Sequence, residues 1–233
     1  MLIQFHSAAV APLWSDLDLG VDRGEFIAIL GPNGVGKSTL LGTILGTREL
    51  TSGSVDVNAR LGFIPQQRMF PADLPLRARD LVSLSLAHGV LRRRSASSQR
   101  VLDALTAVGA EGLADRRVGQ LSGGQQQLVR QAQAFAADPD LILADEPLLS
   151  LDLARQQETV HRLDERRKAQ GTSVIFVTHG INPVLDVVDR VVYLAPNGHT
   201  IGTVDEVMRS DVLSELYGAH VEVARVNGRL VVV

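Results

Sequence analysis

Short apolar runs recur along the chain, separated by longer stretches in which apolar and polar residues mix. Phe26-Ile27-Ala28-Ile29-Leu30 is β-rich, ends in a glycine and reads as a buried strand. After a loop from Gly31 to Gly36, residues 37–45 read as a helix. A second strand is expected over 61–64, stopped by Pro65. From about 71 to 124 strand character is lost and the chain becomes rich in Ala, Leu and Arg, which predicts a mainly helical inserted lobe. Apolar runs return at 141–144, 174–177 and 191–194. Strands of this kind alternating with helices imply an α/β fold whose mostly parallel sheet is covered on both faces. The tail differs, because 221–226 and 229–233 flank Asn227-Gly228, a strong type I′ hairpin signal. No internal repeat or low-complexity segment is present.

Composition narrows the function classes. A chain of 233 residues suffices for one α/β domain, or for a core with a smaller lobe inserted. It has no cysteine, which excludes a disulfide framework, a thiolate zinc site and cysteine nucleophilic chemistry. The net charge of −3 argues against a duplex-binding protein and for no nucleic-acid partner. Basic residues cluster at Arg77, Arg79, Arg92, Arg93, Arg94 and Arg100; the plain reading is a solvated surface, the other a contact with a partner or lipid headgroups. No apolar run approaches the roughly 20 residues that cross a bilayer. The opening Met1-Leu2-Ile3-Gln4-Phe5-His6 has no signal-peptide pattern. The chain is therefore expected to stay in the cytoplasm and to serve a membrane, if it does, only through another subunit.

The loop Gly31-Pro32-Asn33-Gly34-Val35-Gly36-Lys37-Ser38, with Thr39 following, fits G-x-x-x-x-G-K-[ST] between an expected strand and an expected helix. Glycines let the backbone approach phosphate oxygens, and successive N–H groups form an anion nest to which the helix N-terminus adds partial positive charge. Lys37 is expected to reach the β- and γ-phosphates and the Ser38 hydroxyl to ligate Mg²⁺. These features point to ATP or another nucleoside triphosphate.

Leu141-Ile142-Leu143-Ala144-Asp145-Glu146 is an apolar strand ending in two carboxylates. Such a strand brings Asp145 to the sheet edge beside the phosphate loop, where it can hold Mg²⁺ through water. Adjacent strand residues alternate faces, so Glu146 points differently and can polarise an attacking water as general base.

Leu121-Ser122-Gly123-Gly124-Gln125 resembles the signature motif of ABC ATPases. It should open a helix with Ser122 as N-cap. The resemblance spans about 26–194 and implies a P-loop NTPase core with an antiparallel β part and an inserted helical subdomain. The expected layout is one ABC ATPase domain over 1–233, with its core in 1–70 and 140–233 and the helical subdomain in 71–139. It also implies that the signature binds the γ-phosphate of ATP held by a second copy, so that the working unit is a homodimer on the cytoplasmic face of membrane permease subunits. Gln66 then corresponds to the glutamine that senses Mg²⁺ and the attacking water. Ser150-Leu151-Asp152 corresponds to the loop that crosses to the partner, and His179 to the switch histidine at the γ-phosphate.

The chain departs from the family in several places. Relatives carry an aromatic residue ahead of the phosphate loop that stacks on adenine, whereas Ala8-Ala9-Val10-Ala11-Pro12 has none; stacking is either missing or comes from Trp14. Gly180 stands where relatives have aspartate after the histidine, and Leu128 and Gln133 stand where they have arginine.

Gly62-Phe63-Ile64-Pro65-Gln66-Gln67, Asp73-Leu74-Pro75 and Ile181-Asn182-Pro183-Val184-Leu185 are similar to zinc and manganese importer ATPases, as is the region from 202 to 218. The resemblance thus implies divalent-metal import with, indirectly, a substrate-binding protein; residues 74–82 are the candidates for permease docking. The alternatives are an importer ATPase for an iron chelate and a soluble non-transport ABC ATPase. A regulatory module without catalysis is disfavoured by the presence of Lys37, Asp145, Glu146 and His179.

Overall fold

A computed structural model describes residues 1–66, 69–86, 98–149 and 151–233. The chain opens with strands β1 (Ile3–Val10) and β2 (Trp14–Val21), followed by β3 (Phe26–Leu30), helix α1 (Lys37–Ile44) and β4 (Ser52–Val57). β1 lies between β2 and β4 in an antiparallel sheet. None of these three strands stands out in the apolar pattern, for a physical reason. Ser7 and Asp16 take left-handed φ of 40° and 52°, and the β1–β2 register shifts on either side of Ala8. Each irregularity breaks the period-two alternation that marks a strand. β4 has no buried residue at all, so it leaves no apolar signal.

Next come β5 (Leu61–Ile64), α2 (Ala78–Leu86), α3 (Ser98–Thr106) and α4 (Gly123–Ala136). The apolar faces of the three helices, among them Ala78, Val82, Leu105, Val129 and Ala132, close on one another and continue into the layer against one face of the main sheet. The second half of the chain supplies β6 (Leu141–Asp145), α5 (Leu153–Gln170), β7 (Ser173–Val177), β8 (Arg190–Ala195) and β9 (Gly198–Gly202). α5 is polar along most of its length but well delimited. The Asp152 side chain caps its N-terminus, accepting from Arg155 N–H at 3.0 Å, and Gly171 ends it at φ 68°. The chain closes with α6 (Val204–Val207), α7 (Ser210–Tyr217), β10 (Val223–Val226) and β11 (Arg229–Val232). Asn227 and Gly228 between the last two strands both have positive φ, 49° and 78°, as a type I′ turn requires.

The central sheet runs β5-β6-β7-β3-β8-β9, parallel apart from the antiparallel β8–β9 pair. Every residue of β3, β6 and β7 is buried. Alternation along each strand divides them between two cores. Phe26, Ala28, Ile142, Ala144, Val174 and Phe176 face the helical side. Ile27, Ile29, Leu141, Leu143, Ile175 and Val177 face α1 and the N-terminal sheet. Because β3, β5, β6 and β7 are parallel, their carboxyl ends share one edge of the sheet. The chain therefore delivers Gly31, Gln66, Asp145-Glu146 and Thr178-His179 to one place, where ligands of open α/β sheets bind.

Candidate functional site

The loop after β3 is shaped by glycines that no other residue could replace. Gly31 has φ 137°, and a Cβ on it would lie 2.1 Å from the Leu194 carbonyl oxygen of neighbouring β8. Gly36, at φ 102°, is the N-cap of α1 and offers no side-chain cap, so the first amides of the helix remain free for an anion. Val35 anchors the loop by burying its side chain in the core, while Asn33 and Gly34 are exposed at the tip. Lys37 is only 5% exposed and donates from Nζ to the carbonyl oxygens of Gly31 and Pro32, at 2.8 and 2.9 Å. Burial pushes its pKa down, opposed by the negative charges of Glu146 and Asp145. The ammonium is thus desolvated and aimed into its own loop. Ser38 Oγ donates to Asp145 Oδ1 at 3.1 Å, bringing together two hard oxygen donors from α1 and β6; Thr39 is half-buried in the next position. Burial is also the main cause that raises the Asp145 pKa, with Ser38 opposing it.

Glu146 does not simply continue β6. It takes a left-handed φ of 47°, rare for a non-glycine residue, while its N–H still donates to Val177 O at 3.1 Å. The kink turns its carboxylate away from Asp145 and toward two donors. Gln66 Nε2 donates to Glu146 Oε2 at 2.9 Å, and His179 Nε2 lies 2.9 Å from Oε1. Glu146 is 12% exposed and His179 46%, so the acid is recessed and the imidazole reaches toward solvent. A crevice of about 230 Å³ opens beside them, lined by Leu148, Leu149, Gln156, Thr178 and Pro183. Beyond His179, where Gly180 replaces the expected aspartate, the Thr178 hydroxyl donates to Gly180 O at 3.1 Å and pins the turn.

The signature residues open α4. Ser122 is the N-cap of a full capping box: its N–H donates to Gln125 Oε1 at 3.1 Å, and Gln125 N–H to its Oγ at 3.4 Å. Leu121 is buried, and Gly124 lies under the Arg155 guanidinium, close enough that a Cβ there would meet Arg155 Nη1 at 1.9 Å. Gly123 is the first residue of the helix. Among the described residues no hydrogen bond or ion pair joins 121–125 to 31–38. Within one chain, the phosphate loop, Asp145, Glu146, Gln66 and His179 come together, and the signature looks elsewhere. Asp152 caps α5, Leu151 packs at the edge of the core, and Ser150 falls outside the described residues, as do Gln67 and Arg92, Arg93 and Arg94.

Sequence reasoning missed three glutamines behind the signature. Gln126, Gln127 and Gln131 are each 1% exposed. Gln126 bridges Phe70 N–H at 2.9 Å and Leu121 O at 3.1 Å, and Gln127 Nε2 donates to Pro147 O at 3.2 Å, tying α4 to the turn that follows Glu146. The signal was available in the pattern, since buried polar residues on the inner face of a helix need partners. The arginines expected at 128 and 133 are absent, yet α4 carries Arg130, whose guanidinium lies 4.2 Å above the Phe70 ring.

Trp14 does not offer a stacking face. It is 6% exposed, and its indole edge lies beside Gly36. It borders a cavity of about 360 Å³ whose lining includes Ala9, Ala11, Pro12, Ser15 and Asn197. The stretch 74–82 buries Ala78, Leu81 and Val82, leaving Arg77 and Arg79 at the surface paired to Asp115.

Fold and site together define an ATP-binding cassette. The sequence profile of ABC transporters matches residues 14–149. The chain belongs to the ABC transporter family and is an ATPase of that family. The zinc import ATP-binding protein ZnuC of Ruegeria sp. is 35% identical over 85% of this chain and 78% of that protein. The manganese transport system ATP-binding protein MntB of Bacillus subtilis is 34% identical over 89% of this chain and 87% of its own length. A chain from an inward-facing metal-chelate type ABC transporter superposes with a TM-score of 0.84, at 27% identity, covering 99% of this chain and 95% of that one. An ATP-binding cassette solved as a dimer with ADP and phosphate after hydrolysis gives 0.74, at 26% identity, covering 86% and 98%.

Proposed function

We propose that this chain hydrolyses ATP to drive import of a divalent metal ion, zinc or manganese, through separate permease subunits at the cytoplasmic face of a membrane. The observation that carries the catalytic reading is the placement of Glu146, recessed and held by Gln66 and His179, beside the Ser38–Asp145 oxygen pair. Ser38 Oγ and Asp145 Oδ1 are hard donors at a spacing that suits one Mg²⁺. When bound, the ion would neutralise charge on the β- and γ-phosphates.

The chain's own groups do the rest. The loop 31–39 wraps the phosphates, and Lys37 exchanges its carbonyl partners for phosphate oxygens. Glu146 accepts the proton of the attacking water, while Gln66 and His179 hold carboxylate and γ-phosphate in line. The signature residues 121–125 turn away from their own phosphate loop, which supports their use on ATP held by a second copy, with Ser150, Leu151 and Asp152 crossing between the two. The dimeric cassette with ADP and phosphate supports the same pairing. We read 71–139 as a lobe that moves against the core of 1–70 and 140–233 and carries that motion to the permease near 74–82. A substrate-binding protein would complete the importer. No helix among the described residues is long and apolar enough to cross a membrane.

The metal assignment rests on the zinc and manganese relatives. The metal-chelate transporter favours a second reading, import of an iron chelate. The first test is Glu146→Gln. Mass in solution should double with ATP while hydrolysis stops; a variant that hydrolyses ATP like its parent would overturn the catalytic reading. Metal content of cells lacking the chain separates zinc or manganese from chelated iron.

A further inference from the structure

The C-terminal hairpin reaches the loop that carries His179 through one side chain. Asn182 Nδ2 donates to Leu230 O at 2.8 Å, and Leu230 N–H donates to Asn182 Oδ1 at 2.8 Å. The carboxamide thus takes the place of a third strand against β11, using both its donor and its acceptor on one residue's backbone. Asn182 also opens the 3₁₀ turn Asn182–Val184, three positions after His179, and the flanking Ile181 and Val184 are buried with Leu230 in one apolar cluster. The base of the hairpin is fixed to α7: Val221 N–H and Val223 N–H donate to Ser214 Oγ and Ser210 Oγ, both at 2.9 Å. At its tip, a cavity of about 360 Å³ separates Asn227 and Arg229 from α5. It shares Gln156 and Pro183 with the crevice at Glu146 and His179. On the other side the histidine loop is held at Thr178, whose N–H donates to Ile29 O at 3.1 Å and whose hydroxyl bonds around Gly180.

We infer that Asn182 is a positioning residue, and that the hairpin is a splint which holds His179 against Glu146 through it. This rests on the reading of the site as an ATPase. Its chemistry demands an amide. Aspartate would keep an acceptor for Leu230 N–H but set a carboxylate against Leu230 O, and alanine would remove both bonds.

The test uses the full chain. Asn182→Asp and Asn182→Ala should each lower kcat by about tenfold with KM for ATP little changed, within the roughly hundredfold that a 1 Å misplacement can cost. Gly228→Val, which strains the hairpin turn at φ 78° without touching Asn182, should act in the same direction. In a His179→Ala background none of the three should lower kcat further, whereas general destabilisation would persist there. Amide hydrogen exchange should rise over 178–181 as well as over 223–232 in each variant. An unchanged kcat, an undiminished loss in the His179→Ala background, or exchange that rises only in the hairpin would each sink the inference. If the parent chain does not hydrolyse ATP, the ATPase reading fails instead, and the exchange at 178–181 alone decides whether the splint exists.

Discussion

His179 Nε2 and Glu146 Oε1 meet at 2.9 Å, and the other carboxylate oxygen takes the Gln66 amide at the same distance. Two residues from the ends of two strands therefore converge on the carboxylate at the end of a third, whose own backbone is strained at φ 47°. His179→Ala and Gln66→Ala should each reduce kcat, by about 10- to 100-fold. The double variant should lose less than the product of the two, because both act through Glu146. Steady-state hydrolysis of the four proteins measures the coupling; fully multiplicative losses would mean that the two donors work independently.

Gly31 tests the architecture of the phosphate loop. Gly31→Ala places a methyl 2.1 Å from the Leu194 carbonyl at a φ that side chains avoid. The expected cost is about 2–3 kcal/mol, a fall in Tm of roughly 5–10 °C for a chain of this size, with loss of nucleotide binding. Thermal unfolding and nucleotide titration on the variant provide the check.

The buried glutamines of α4 should not be equivalent. Gln126→Leu strands the Phe70 N–H and the Leu121 carbonyl and is expected to destabilise by about 2–4 kcal/mol. Gln131 makes one long bond, 3.3 Å to Thr159 Oγ1, and its Oε1 has no partner among the described residues. Gln131→Leu should therefore change stability by less than about 1 kcal/mol. Urea unfolding of both variants would show the difference, and equal losses would contradict the satisfaction argument.

Asp140 sets a pH dependence of defined sign. Hydrogen bonds from Arg60, helped by Arg23, hold its carboxyl well below the usual carboxylate range. The folded state thus binds fewer protons than the unfolded one. Its contribution is complete above the unfolded value of about 3.9 and disappears as pH falls through the folded value. Asp140→Asn should lower Tm at pH 7, and the gap between variant and parent should close on acidification below about pH 4. A gap independent of pH would point to lost packing rather than lost charge.

The cavity beside Trp14 bears on base recognition. Trp14 lines it but is only 6% exposed, and Ser15 and Asn197 add polar side chains. ATP and GTP should bind within about tenfold of each other. Ala11→Tyr, at an exposed turn, should tighten both by roughly 5- to 100-fold if a ring there stacks on the base, since such stacking is worth about 1–3 kcal/mol. Fluorescent-nucleotide titrations would decide. No gain in affinity would mean that the base lies elsewhere.

The residue pattern alone determined the parts whose physics is local. The runs 26–30, 61–64 and 141–144 are strands because they are short, apolar and punctuated by glycine, proline or acid. The phosphate loop is legible because its backbone needs glycines at fixed spacing, and Asn227-Gly228 because both residues must take positive φ. β1, β2 and β4 were hidden, since bulges at Ser7 and Asp16 interrupt the alternation of the first two and β4 has no fully buried residue. The burial of Trp14 was equally invisible, because only the packing of β2 under Gly36 removes its face from the site. The kink at Glu146, its capture by Gln66 and His179, and the bond from Asn182 to Leu230 join residues up to 80 positions apart. Contacts across such distances leave no periodic trace in a sequence; they exist only once the parallel strands have brought their ends to one edge.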